Sequence, residues 1–111
     1  MDISSMQARL RAFAGERDWD QYHSPKNLSM ALAIEASELM ELFQWVGTEQ
    51  SRKVVDYPDE LNKVAEEVAD VFTYTLRIAD VLGIDLEKAV WAKMERNATK
   101  YPSDAEHRWS F

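Results

Sequence analysis

The stretch ELNKVAEEVADVFTYTLRIADVL, residues 60–82, decides the fold. Leu61, Val64, Val68, Val71, Phe72, Ile78 and Leu82 recur at helical spacing, and Gly83 follows as a stop. At 1.5 Å per residue such a helix runs roughly 35 Å. Outward from it the same period returns. Residues 28–46, LSMALAIEASELMELFQWV, carry a stripe of Leu28, Leu32, Leu39, Leu42 and Val46, with Asn27 placed as cap and Gly47 as stop. A segment from Ser4 to Arg17 repeats Met6, Leu10 and Phe13 behind a cap at Ser4 or Ser5. A last one, Leu86 to Ala98, starts behind Asp85. Trp19 to Lys26 reads as a loop punctuated by Pro25, and Thr48 to Asp59 as a polar connector with room for a helical turn. The end, Tyr101 to Phe111, reads as irregular, with 102–111 as a tail.

Nothing alternates with period two, so no strand is expected. The expectation is all-α: one domain over residues 1–111, folded as a bundle of about four helices. Helices of this size make a thin bundle. A second copy would cover more apolar surface, so a homodimer or dimer of dimers is expected.

Composition narrows the function. Thirteen basic against twenty acidic side chains give a net charge of -7, which argues against nucleic acid or an anionic membrane as partner. A phosphorylated small molecule stays open, because a bound cation reverses the local sign. With no cysteine there is no disulfide, thiolate metal site or cysteine nucleophile. No uncharged run approaches the roughly 20 residues of a membrane span, and the N-terminus lacks the apolar block of a secretory signal, so a cytoplasmic location is expected. There is no Walker loop, dinucleotide glycine pattern or Ser-His-Asp arrangement.

The acids are more informative. With Glu35 set at zero on a helical wheel, Leu28, Leu39 and Val46 fall within about 40°, and Glu38 at about -60°. Glu35 thus sits inside the apolar stripe and Glu38 on its border. With Glu67 at zero, Val71, Tyr74 and Ile78 fall within about 40° and Asp70 near -60°. Two antiparallel helices would turn both i, i+3 pairs toward one shared core. A single such acid is usually solvated or salt-bridged, but four on two apolar faces are not so easily placed. Buried carboxylates need protons, basic partners or a metal. Lys63, one turn before Glu67, offsets only part of the charge. An all-oxygen set suits Mg²⁺, or Mn²⁺ as substitute. A ferritin-like di-iron site would want Glu-x-x-His, whereas the two histidines, His23 and His107, lie in a loop and near the end.

Lys93, Asn97 and Lys100 share one helical face within about 60° and offer charge and donors to a polyphosphate, although lysines also simply suit a helix C-terminus. Of the twelve aromatics, Trp19, Trp45 and Tyr74 are candidates to stack on a base, with core packing the ordinary alternative. His23 has the chemistry of a general base, though a lone loop histidine is more often structural.

FAGERDWDQYHSPKNLSMALAIEASELMELFQWV (13–46), DELNKVAEEVADVFTYTLRIAD (59–80) and KMERNATKYP (93–102) carry a resemblance. They resemble the MazG-like all-α nucleoside triphosphate pyrophosphohydrolases, and most closely the dCTP-pyrophosphatase-like branch. Glu-x-x-Glu and Glu-x-x-Asp across a long connector are moderately specific; with ERDW, HSPKNL, ELFQW and KYP they are strong. The resemblance implies that Glu35, Glu38, Glu67 and Asp70 bind Mg²⁺. It also implies that Trp19, Trp45 and Tyr74 line the base pocket, and that Lys93, Asn97, Lys100 and Tyr101 contact phosphate. It implies a dimer or tetramer with sites near subunit contacts. Broader members often start the first motif with a double acid, where this chain has Ile34-Glu35. Some members of the branch carry a histidine near Leu10, which here cannot hydrogen-bond a base.

The expected activity is Mg²⁺-dependent hydrolysis of a nucleoside triphosphate, such as dCTP or a modified pyrimidine deoxynucleotide, to monophosphate and pyrophosphate. One glutamate, with Glu38 as the candidate, serves as general base. The role would be sanitation of the nucleotide pool. The alternatives are a non-catalytic nucleotide-binding module, a structural helical dimer with salt-bridged acids, and a related-fold hydrolase of another nucleotide.

Overall fold

The computed structural model describes residues 1–103, so most of the expected tail lies outside the described residues. Five α-helices follow one another: α1 Ile3–Glu16, α2 Pro25–Glu41, α3 Thr48–Arg52, α4 Pro58–Val81 and α5 Leu86–Lys100. Short 3-10 turns occupy Asp20–Tyr22 and Lys53–Asp56, and the described residues contain no strand. The fifth helix, α3, is the helical turn of the connector, and the other four are the expected long segments.

Helix ends depart from expectation for local reasons. Asp2, not Ser4 or Ser5, caps α1: its carboxylate accepts the Ser5 backbone N–H at 3.0 Å and the Ser5 hydroxyl at 2.7 Å. A carboxylate also suits the positive end of the helix dipole. Ser24 caps α2 by accepting the Asn27 N–H at 3.1 Å, with Pro25 at the first helical position, where no N–H is needed. The Asn27 amide instead donates to the Tyr22 carbonyl at 3.0 Å. Helix α2 ends at Glu41, short of Val46, and Gly47 stands at the start of α3 rather than closing α2.

Two left-handed residues aim the connections. Gly83, at φ 66°, follows α4, and the Ile84 N–H reaches back to the Ala79 carbonyl at 2.9 Å. Asp18, at φ 57°, plays the same part after α1, where the Trp19 N–H reaches the Ala14 carbonyl at 2.9 Å. That closure folds Trp19 back edge-on to Phe13, with ring centroids 5.5 Å apart.

Helix α4 is the spine. Gln7 donates to the Leu76 carbonyl and Arg11 pairs with Asp80, so α1 runs parallel to α4. His23, just before α2, meets Arg77, while Glu35 and Glu38 meet Glu67, so α2 runs antiparallel to α4, as expected. Among the described residues the buried apolar side chains are Ala14, Leu28, Leu76 and Ala79, where α1, the start of α2 and the end of α4 converge. Leu28 was an expected core position. Leu76 was not, and Val68, Leu42 and Leu82 of the expected stripes are exposed.

Helix α5 packs extensively against nothing else among the described residues. Every residue from Glu87 to Lys100 is exposed, Val90, Trp91 and Met94 among them. The radius of gyration is 17.1 Å, against about 13 Å for a compact domain of this length. The surface is 9082 Å², against roughly 6,300 Å² for a compact monomer of this mass. No described helix is long and apolar enough to cross a membrane.

Candidate active site

The antiparallel pairing of α2 and α4 brings Glu35, Glu38 and Glu67 together. Each offers an oxygen, and these atoms lie within 4.8 Å of one another. All three side chains are half-buried. One carboxylate oxygen on Glu35 and one on Glu67 are fully buried without any hydrogen-bond partner. Lys63 pairs with Glu60 at 3.6 Å instead, and among the described residues no basic side chain pairs with the three acids.

Burial and mutual repulsion act on the acids in the same direction. Loss of solvent pushes the Glu35 carboxyl up to about 7, helped by the neighbouring Glu38 carboxylate and by the charges of Asp70 and Glu67. Loss of solvent also raises Glu67, with the charges of Glu38 and Asp70 adding to it. Like charges this close, with orphaned oxygens between them, form a site that a hard cation would satisfy. Three carboxylates supply the all-oxygen donor set that such a cation prefers. Asp70 is exposed and stands outside the set of three, although its charge reaches both Glu35 and Glu67.

Toward the C-terminal end of α4 a cavity of about 390 Å³ opens between α1, the loop after it and α4. Phe13, Trp19, Tyr22 and Tyr74 give it aromatic walls, and Leu10 adds an aliphatic one. Its polar lining comes from His23, Thr73 and Arg77. Trp19 and Tyr74, two of the expected base-stacking residues, therefore share one cavity. Trp45 does not join them: it is 89 % exposed in the turn after α2. Lys93, Asn97, Lys100 and Tyr101 are exposed on or just after α5, and within one chain α5 brings them against no other element to any extent. The Lys100 ammonium lies 5.3 Å from the Tyr101 ring centre.

Sequence reasoning passed over Arg77, which is 7 % exposed at the wall of this cavity. Its Nη2 lies 2.6 Å from an Asp20 oxygen, and its Nε donates to His23 Nδ1 at 3.0 Å. The available signal was a lone arginine inside the apolar run VFTYTLRIADVL, residues 71–82.

Comparison with known proteins agrees with this architecture. The MazG-like family model matches residues 30–110. dCTP pyrophosphatase 1 of Homo sapiens is 43% identical over 96 residues, covering 86% of this chain and 56% of that protein. dCTP pyrophosphatase 1 of Bos taurus is 43% identical over 95 residues, covering 85% of this chain and 56% of that one. The chain thus spans about half the length of the curated relatives it matches. A solved pyrophosphatase from Archaeoglobus fulgidus superimposes with a TM-score of 0.79 at 41% identity, covering 86% of this chain and 88% of that one. By sequence and by fold, this chain belongs to the MazG-like family.

Proposed function

We propose that the protein hydrolyses a nucleoside triphosphate, with deoxycytidine and related pyrimidine deoxynucleotides as first candidates, to the monophosphate and pyrophosphate. The observation that carries this reading is the trio Glu35, Glu38 and Glu67, which converge oxygens within 4.8 Å while Glu35 and Glu67 each bury one oxygen without a partner. The names of the similar proteins, dCTP pyrophosphatase 1 and a pyrophosphatase, support the same chemistry.

Glu35, Glu38 and Glu67 would hold Mg²⁺, or Mn²⁺ in its place, with Asp70 completing the set from the next turn of α4. When bound, the ion supplies polarisation of the phosphate and neutralisation of developing charge. Glu38 accepts the proton of the attacking water on a carboxylate oxygen, or acts as a ligand while another acid does so. Water adds at the α-phosphorus as the bond to the bridging oxygen breaks, and pyrophosphate leaves. The aromatic cavity takes the base between Trp19 and Tyr74.

Lys93, Asn97, Lys100 and Tyr101 serve the phosphates, and Trp45 the base, once a second copy of the chain is in place. The exposed apolar face of α5 and the large excess surface of the single chain support a homodimer or homotetramer. We assign the whole to a single domain acting in the cytoplasm on the nucleotide pool.

The test is pyrophosphate release from a panel of natural and 5-modified ribo- and deoxyribonucleoside triphosphates, with Mg²⁺ and with EDTA, beside Glu38→Gln and Glu67→Gln. Metal-dependent pyrophosphate and monophosphate, lost in both variants, is the expected result. Tight metal-dependent binding of a triphosphate without turnover would overturn hydrolysis in favour of a binding module.

A further inference from the structure

We propose that His23 donates its Nε2–H to a carbonyl oxygen of the bound base, and that buried Arg77 is the positioning residue that locks the ring in this tautomer. This rests on the nucleotide reading above. The warrant is the direction of one hydrogen bond. A guanidinium can only donate, and it keeps its proton in proteins. Since Arg77 Nε donates to His23 Nδ1 at 3.0 Å, Nδ1 must present its lone pair. The single proton of the neutral ring then sits on Nε2.

Arg77 cannot easily swing away. Nη2 lies 2.6 Å from Asp20 and Nη1 3.6 Å from Asp80, so each arm of the fork faces a carboxylate. Protonating His23 at Nδ1 would set two N–H groups against each other. Burial, then the Arg77 charge, holds the imidazole below its ordinary value, with Asp20 opposing.

Among the described residues nothing accepts from Nε2, and the ring lines the cavity with Trp19 tilted beside it at 6.2 Å. The aromatic walls would stack on any base, so they select little. Leu10 offers no polar atom. A fixed donor is what distinguishes a base with a ring carbonyl, such as cytosine, from adenine, which has none. The ligand class is therefore a carbonyl-bearing base.

The experiment joins ring NMR to kinetics on the full chain. His23 and His107 are the two histidines, so the His23→Phe spectrum assigns the other signals by difference. At about pH 7 the His23 ring should show an unprotonated Nδ1 and a protonated Nε2. His23→Phe should raise KM for dCTP about tenfold, more than it lowers kcat, and shrink the preference for dCTP over dATP. His23→Gln, which keeps a donor, should recover part of both. Arg77→Lys should mix the two tautomers and raise KM in the same direction while far-UV circular dichroism stays native. A ring protonated on Nδ1, or a His23→Phe enzyme with KM and base ranking unchanged, would overturn the proposal. If the wild type hydrolyses no triphosphate, the nucleotide reading falls and the base contact with it, whereas the ring spectrum still decides the tautomer lock.

Discussion

Helix α4 carries two clusters of charge, centred on Glu67 and Arg77, ten residues or about 15 Å apart. Around Arg77 the charges are paired. Arg77 faces Asp20, His23 and Asp80, and Asp80 also accepts from Arg11 Nε at 2.9 Å and Nη2 at 2.7 Å. Around Glu67 three carboxylates face one another, two buried oxygens find no partner, and the nearest lysine on the helix turns to Glu60. One helix thus shows that this chain can neutralise charge in its interior and leaves one place where it does not. Unpaired buried charge weakens a fold. Its persistence beside full pairing is what a cation-binding role for the acid cluster would explain, while the arginine cluster shapes the wall of the neighbouring cavity.

The largest expected effect breaks the acid side alone. Glu38→Gln should lower turnover about a thousandfold if this carboxylate moves the proton, with the helical circular dichroism retained. Turnover within a few-fold of wild type would remove Glu38 from the chemistry.

Next comes the arginine side. Arg77→Met removes the buried cation beside Asp20 and Asp80 and should cost about 1–2 kcal/mol in urea unfolding, since Asp20 is 60% exposed and Asp80 keeps its bidentate bond to Arg11. The matching neutralisation on the acid side, Glu35→Gln, should instead raise the melting temperature of the metal-free protein. Two losses of similar size would mean that both clusters stabilise the fold alike.

The two clusters also predict pH dependences of opposite sign. Glu35 titrates near 7 in the fold against an ordinary 4.5, so its contribution is favourable at low pH. That contribution is lost as pH rises through the interval between those values. Asp80, which its hydrogen bond to Arg11 holds below the ordinary 3.8, contributes at higher pH and loses that contribution as the solution is acidified through its folded value. Melting curves of the metal-free protein should therefore fall toward neutral pH on the Glu35 limb, and Glu35→Gln should flatten that limb. Saturating Mg²⁺ should flatten it as well, because a cation favours the ionised acid. Asp80→Asn should change only the acid limb.

The smallest effect should come from Arg11→Gln. Its side chain is 58% exposed although its bond to Asp80 is bidentate, so the melting temperature should drop less than for Arg77→Met. A drop as large as that of Arg77→Met would place the anchor of the network at Arg11.

The family members found by comparison place this reading in context without widening it. They align over most of this chain, while the chain accounts for 56% of the curated relatives' length. The aligned part includes the acid pairs and, of the cavity's aromatic walls, Trp19 and Tyr74.

Much of this was legible in the residues themselves because helical periodicity is local. The spacing of apolar side chains marks out α1, α2, α4 and α5 within a few residues, and the same wheel puts Glu35, Glu38 and Glu67 on apolar faces. Cap choice was less legible, since Asp2 and Ser24 win over Ser4, Ser5 and Asn27 through backbone geometry that spacing does not encode. The long-range pairings were legible only in part: matching acid pairs on two apolar faces pointed to α2 against α4, whereas nothing in the spacing pointed to α1 against α4. Periodicity says which face of a helix is apolar, not which residue on another helix it will meet. Only the antiparallel packing of α2 on α4 brings three carboxylates within 4.8 Å, and only the parallel packing of α1 delivers Arg11 to Asp80. Arg77 reads in sequence as one more cation near a helix end. Burial against the loop of Asp20 and His23, more than fifty positions away in the chain, is what turns it into the centre of a charge network.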